Sequence, residues 1–195
     1  MKSILLSFML LLTAMSFAQA AKYKPGLYQI DPMHTKIGFS VPHLGVSRVE
    51  GRFTQFDGTL DLKDKFIQSV FKATMEVNSI NTDVVKRDDH LKSADFFDAK
   101  KFPKMMFVSK SFKGSPEKFT VQGDLTIKDV TKSVPVIGRY LGTVKDQMGN
   151  ERAVFSGKAT VNRKDFKINY NDVVDTVPLV GDEVEIDLVI EAIRK

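Results

Sequence analysis

The chain has 195 residues, no cysteine or tryptophan, and 29 basic against 24 acidic side chains, a formal net charge of +5. Without a thiol there is no disulfide framework, no lipid-modified cysteine and no cysteine chemistry. The basic residues are interspersed with acidic ones and form no block interleaved with aromatics, which argues against a nucleic-acid partner.

Residues 1–20 read as an export signal. Lys2 opens it, Ile4 to Leu12 is apolar apart from Ser7, and Ala18-Gln19-Ala20 has the small-x-small form of a cleavage site. Removal of Lys2 leaves 28 − 24 = +4. No later stretch is apolar for long enough to make a membrane-spanning helix. Residues 21–195 are therefore expected to form a single exported, periplasmic domain with one core or one lined cavity.

Gly26 to Ile30 begins a β region and Asp31-Pro32 turns it. From Thr35 to Val41 the chain alternates, with Ile37, Phe39 and Val41 on one face. Pro42 to Gly45 interrupts, Val46 to Phe56 is the next predicted strand, and Asp57-Gly58 predicts a hairpin turn. Phe66 to Val77 predicts a long strand with Phe71, Ala73, Met75 and Val77 on one face. After the helical segment, Met105 to Phe112 and Phe119 to Ile127 return to period two. Val134 to Val144, Ala153 to Val161 and Val184 to Ile190 follow, the last alternating with Glu183, Glu185 and Asp187.

The segment from Asn81 to Pro103 is the one helical stretch. Asn81, Thr82 or Asp83 supplies a cap, and Pro103 ends any helical reading. At 100° per residue, Val84, Arg87, His90, Leu91, Ala94 and Phe97 share an arc of roughly 140°. An Arg and a His within an apolar stripe have two readings. One is a cation and a donor offered to a ligand's polar end; the other is a snorkelling or ion-paired Arg with a satisfied core His. Asp88 and Asp89 diverge on a helix and read as a solvated face.

Eight to ten short-turned strands and one helix define an all-β domain, either a β-sandwich or a closed barrel. About eight strands in a barrel leave room for one elongated ligand. The inward face mixes large side chains with Ala73, Gly123, Gly157 and Ala159. Those small residues either leave a slot or make space for larger neighbours across the core. A Gly-x-Ser-x-Gly elbow and a glycine-rich phosphate loop are both missing, so no enzyme is expected. The three histidines, His34, His43 and His90, match no local metal-ligand spacing, so no metal is expected. An outer-membrane barrel fits poorly, because the row Glu183, Glu185 and Asp187 would have to line a lumen.

Six segments together resemble the YceI-like family of exported polyisoprenoid-binding proteins. They are Ile30 to Thr35, Phe39 to Ser47, Gly51 to Gly58, Arg87 to Asp98, Gly123 to Ile127 and Asn162 to Phe166, and the likeness runs from Tyr28 to Ile193. The resemblance implies an eight-stranded antiparallel lipocalin-like barrel with the helical insertion packed at or near its mouth. It also implies an apolar tunnel holding an isoprenoid chain, such as a polyprenyl lipid or an isoprenoid quinone, with no further cofactor. In some relatives the ligand resembles a fatty acid or fatty amide. Thr35 stands where the family usually has Ser, and Lys167 where Gly commonly follows the Asp-Phe pair.

On that basis the tunnel is expected to be lined by Ile37, Phe39, Phe53, Phe71, Leu91, Phe97, Phe107, Leu125, Phe155 and Phe166. Arg87, with His90 and His34, is expected to meet the ligand's polar end, since a guanidinium fork matches a phosphate, carboxylate or quinone oxygen. Arg163 has the alternative of a structural ion pair. The expected role is sequestration, storage or transport of the lipid, with transient membrane contact and a homodimer as further partners. The competing non-catalytic reading is a filled β-sandwich serving as an interaction module.

Overall fold

The computed structural model describes residues 23–174 and 176–195; the export signal expected over residues 1–20 lies outside them. The described strands are β1 (Gly26–Ile30), β2 (Lys36–His43), β3 (Ser47–Phe53), β4 (Phe56–Leu62), β5 (Val70–Glu76) and β6 (Ile80–Asn81). After helix α1 (Val85–Lys92) come β7 (Lys104–Ser115), β8 (Lys118–Ile127), β9 (Val130–Lys145) and β10 (Glu151–Asn162). A small hairpin of β11 (Val173–Val174) and β12 (Val177–Pro178) precedes β13 (Glu183–Arg194).

The ring closes in the order β1, β4, β5, β7, β8, β9, β10, β13 and back to β1, with Tyr28 opposite Arg194 and every pair antiparallel. That is an eight-stranded barrel, which removes the sheet edges a sandwich would keep. β2 continues β1 along the same edge of β13, pairing Ile37 with Leu188, and β3 runs beside it with Phe53 opposite Ile37. Breaks at Asp31–Thr35 and Thr54–Gln55 therefore bend two barrel strands and flare one end.

Period-two patterning is realised most cleanly on β8, where Phe119, Val121, Gly123, Leu125 and Ile127 are all buried and alternate with half-exposed neighbours. The end opposite the flare is closed by aromatic packing. Tyr23 and Phe66 meet edge to face at 5.4 Å, Phe66 lies 5.0 Å from Phe119, and Phe71 lies 4.9 Å from Phe112. The segment predicted as one strand from Phe66 splits here. Phe66–Gln68 is a 3₁₀ turn that drops Phe66 into the plug, and β5 starts at Val70.

The hairpin expected at Asp57-Gly58 is corrected. Both residues lie inside β4, and the chain breaks before it, at Thr54–Gln55, where Ser79 and Glu76 take up the backbone groups. Gly58 serves close approach instead of a turn. A Cβ there would sit 2.7 Å from Ile30 Cδ1 and collide with the Lys72 carbonyl of β5.

The helix is shorter and differently capped than its sequence suggests. Asn81, Thr82 and Asp83 do not cap it; Val84 is the first flanking residue and makes no side-chain cap bond. Instead Asp88 reaches back from the first turn, accepting from the Thr82 amide at 2.8 Å and from its hydroxyl at 2.5 Å. Asp88 is thereby buried rather than solvated. The helix ends at Lys92 because Ser93 is extended, so Ala94 leaves the stripe and Val84 is exposed.

Candidate ligand cavity

A cavity of about 230 Å³ runs inside the barrel. It exceeds the ~150 Å³ apolar cavities that stay dry and accept a benzene-sized guest. Ile37, Phe39, Phe53, Phe71, Leu91, Phe97, Phe107, Leu125, Phe155 and Phe166 all line it. Val184, Ile186, Leu188 and Ile190 on β13 face inward and pack against the core yet remain half-buried, because the cavity lies beside them. Met75, Met105, Val134, Val136, Ala159 and Val161 are among the further strand residues in the wall; their inward register positions are readable from alternation. Ile168 and Val180 also line it but come from an irregular segment with no period to reveal them.

Lys72, Ser156 and Arg163 are the polar residues in the lining. Lys72 and Ser156 occupy outward register positions between inward neighbours, and Ser156 Oγ accepts from Arg139. Arg163 is 4% exposed and spends every N–H it has. Its Nε donates to the Gly181 carbonyl at 2.9 Å, and Nη1 to those of Ile168 and Tyr170 at 2.8 and 2.6 Å. Nη2 donates to the Val180 carbonyl at 3.2 Å and to Asp182 at 3.1 Å. One guanidinium thus ties both ends of the segment that precedes β13. Among the described residues no buried side-chain nitrogen or oxygen lacks a partner.

Arg87, His90 and His34 are not among the lining residues. Arg87 donates through Nε to Thr82 Oγ1 and through Nη2 to the Thr82 carbonyl, both at 2.8 Å. Thr82 passes the bond on to Asp88, so Arg87, Thr82 and Asp88 form one chain that pins α1 to β6. His90 Nε2 lies 3.0 Å from Asp95, and its ring stands edge-on to Phe96 at 5.1 Å and Tyr170 at 4.9 Å. Phe96, off the predicted stripe, is the more buried of the Phe96-Phe97 pair; both line the cavity, and Phe97 meets Phe53 at 6.3 Å.

His34 belongs to a different cluster, at the bend between β1 and β2. Its Nδ1 is 2.8 Å from Asp31, whose carboxylate also accepts from Arg152 at 2.6 Å and from the Met33 amide at 3.0 Å. Burial would raise the Asp31 carboxyl, but these donors outweigh it and hold it down at about 2. Arg152 is raised in turn by its bonds to Asp31 and Asp146. Ligand atoms of Asp31, His34 and Glu191 lie within 4.8 Å of one another, a spacing compatible with a metal. Arg152 Nη1, 2.6 Å from Asp31 and 2.8 Å from Glu191, already supplies the positive charge there.

Lys167, the residue that departs from the family pattern, closes the Arg163–Phe166 turn with φ 60° and ψ 29°. A left-handed conformation explains why glycine suits the position. Here Lys167 tolerates it while its ammonium reaches Asp129 at 2.9 Å and its carbonyl accepts from Lys128.

Eight antiparallel strands closed around an apolar cavity, with one helix against the flared end, define a lipocalin-like barrel. The chain belongs to the YceI-like domain family, whose model matches residues 28–192. It is 38% identical over 180 residues to a UPF0312 protein of Pseudomonas paraeruginosa, covering 91% of this chain and 90% of the relative. Among solved structures, the Campylobacter jejuni YCEI protein is 30% identical with a TM-score of 0.68, over 79% of this chain and 90% of that one. A polyisoprenoid binding domain from Saccharophagus degradans shares the fold at 12% identity and a TM-score of 0.64, over 86% and 98% of the two chains.

Proposed function

We infer that this protein binds the hydrocarbon chain of a long amphiphile inside the barrel, an isoprenoid such as a polyprenyl lipid or isoprenoid quinone being the favoured class. The observation that carries this is a cavity walled by aliphatic and aromatic side chains while every buried polar side chain among the described residues is already paired. Such a cavity rewards hydrocarbon, at roughly 0.8 kcal/mol per buried CH₂, and offers nothing for a buried charge. The role proposed for it is binding of the chain. The polyisoprenoid binding of the Saccharophagus degradans domain supports the same reading through a shared fold.

The polar end of the ligand then stays at the flared end and outside the cavity, since the guanidinium in the lining, that of Arg163, is spent on backbone carbonyls and Asp182 and Arg87 stands outside the lining. With an N-terminal stretch that reads as an export signal, the role is to sequester, store or carry the lipid in the periplasm. Native mass spectrometry of protein purified from its own host without detergent, followed by organic extraction, tests this. A stoichiometric adduct of isoprenoid mass is expected. A clean apo mass that persists after incubation with quinones and polyprenols would sink the proposal.

A further inference from the structure

Three of the phenylalanines that line the cavity place their distal ring atoms over glycines of neighbouring strands. A Cβ on Gly51 would stand 2.8 Å from Phe39 Cε1, one on Gly123 would stand 2.5 Å from Phe107 Cε2, and one on Gly138 would stand 2.6 Å from Phe119 Cε2. Side-chain atoms do not normally approach so closely, so each ring occupies the volume a Cβ would need. Phe39 and Gly51 are directly opposed between β2 and β3, as are Phe119 and Gly138 between β8 and β9. Phe107 crosses diagonally from β7 to Gly123 on β8, where its own partner is Leu125. Gly51 and Gly123 do not themselves line the cavity, although their inward register would place them there, because the rings cover them; Gly138 is covered only in part and still contributes to the lining.

The pairs are spaced along the barrel. Phe39 packs with the cluster nearest α1, Phe107 touches both clusters, and Phe119 belongs to the aromatic plug. A ring seated over glycine keeps part of its bulk within the wall. Behind each ring is the strand backbone, so the lumen is the open space toward which a Cβ would push it.

We propose that Gly51, Gly123 and Gly138 set the width of the bore and thereby select methyl-branched isoprenoid chains over narrower straight chains. The proposal rests on the lipid-binding reading above and adds the residues that choose the chain. An isoprenoid carries a methyl group on each unit and has a larger cross-section than a polymethylene chain. A ring pushed into the lumen therefore costs the branched chain more than the straight one.

The test measures displacement of a fluorescent apolar probe by geranylgeraniol and by eicosanol, which have equal carbon counts, on wild type, Gly123→Ala and Gly123→Ala/Phe107→Leu. Gly123→Ala should weaken geranylgeraniol by roughly tenfold, the scale of modest overpacking, and eicosanol by less than about threefold. The double variant, with the ring removed, should recover geranylgeraniol binding. The same readings on Gly138→Ala and Gly138→Ala/Phe119→Leu serve if Gly123→Ala does not fold. Equal losses for both alcohols, no loss, or no recovery in the double variants overturns the bore proposal alone. Failure of the wild type to bind either alcohol overturns the lipid-binding reading and the bore proposal with it.

Discussion

Replacing Arg87 by alanine separates an anchoring role from ligand recognition. The side chain makes two hydrogen bonds, both to Thr82 and both at 2.8 Å. Charge-assisted bonds contribute about 1.5–3 kcal/mol each when buried. Arg87 is only half-buried, so solvent screening reduces the pair to roughly 1–3 kcal/mol in total. The Thr82 hydroxyl keeps its bond to Asp88, which limits the damage to the helix anchor. For a domain of this size each kcal/mol lowers Tm by about 2–4 °C, so Arg87→Ala should melt roughly 2–12 °C early. Differential scanning calorimetry gives the melting shift. Titration with a polyprenyl phosphate and the matching polyprenol then compares a headed ligand with an uncharged one. Both affinities should change by the same factor, because Arg87 does not line the cavity. An unchanged Tm with selective loss of the phosphate ligand would falsify the assignment.

Three further outcomes follow from the same structure. The Asp31 carboxyl sits at about 2, below its ordinary value, so its stabilising contribution is complete above about pH 4 and lost as pH falls through about 2. Urea midpoints at about pH 5 and about pH 2.5 should therefore converge more in Asp31→Asn than in wild type, and an identical acid-side loss in both would remove Asp31 from the account. Lys167→Gly relieves a left-handed backbone and should raise stability by about 0.5–1 kcal/mol despite losing the surface pair with Asp129; a lower Tm refutes the strain argument. Leu188→Trp projects into the cavity and should abolish binding of an apolar fluorescent probe while costing less than about 1.5 kcal/mol, because open space is available. Retained probe binding would mean that the probe sits elsewhere.

Strand alternation made the cavity wall legible from the residues, since a closed barrel has one inside and period two assigns a face to every position. Ile37 and Phe39, Phe107, Leu125 and Phe155 reached the lumen for that reason. The segment around α1 resisted the same treatment. A wheel places Arg87 and His90 beside Leu91, but it carries no information on what lies across from them. Thr82 and Asp88 decide Arg87's fate, and Asp95, Phe96 and Tyr170 decide His90's. Asp57-Gly58 misled because glycine serves turns and close strand approach alike, and only the neighbouring carbonyl of Lys72 distinguishes them.

The amino-acid order by itself determined an all-β domain, the inward face of its strands, and the segments that mark the family. Barrel closure depended on Tyr28 of the first strand finding Arg194 of the last, a pairing across nearly the whole domain that no local pattern encodes. Whether inward glycines filled or opened the interior was likewise a tertiary matter. A glycine leaves room, and only the packed structure shows that phenylalanine rings lie over it and leave the lumen clear.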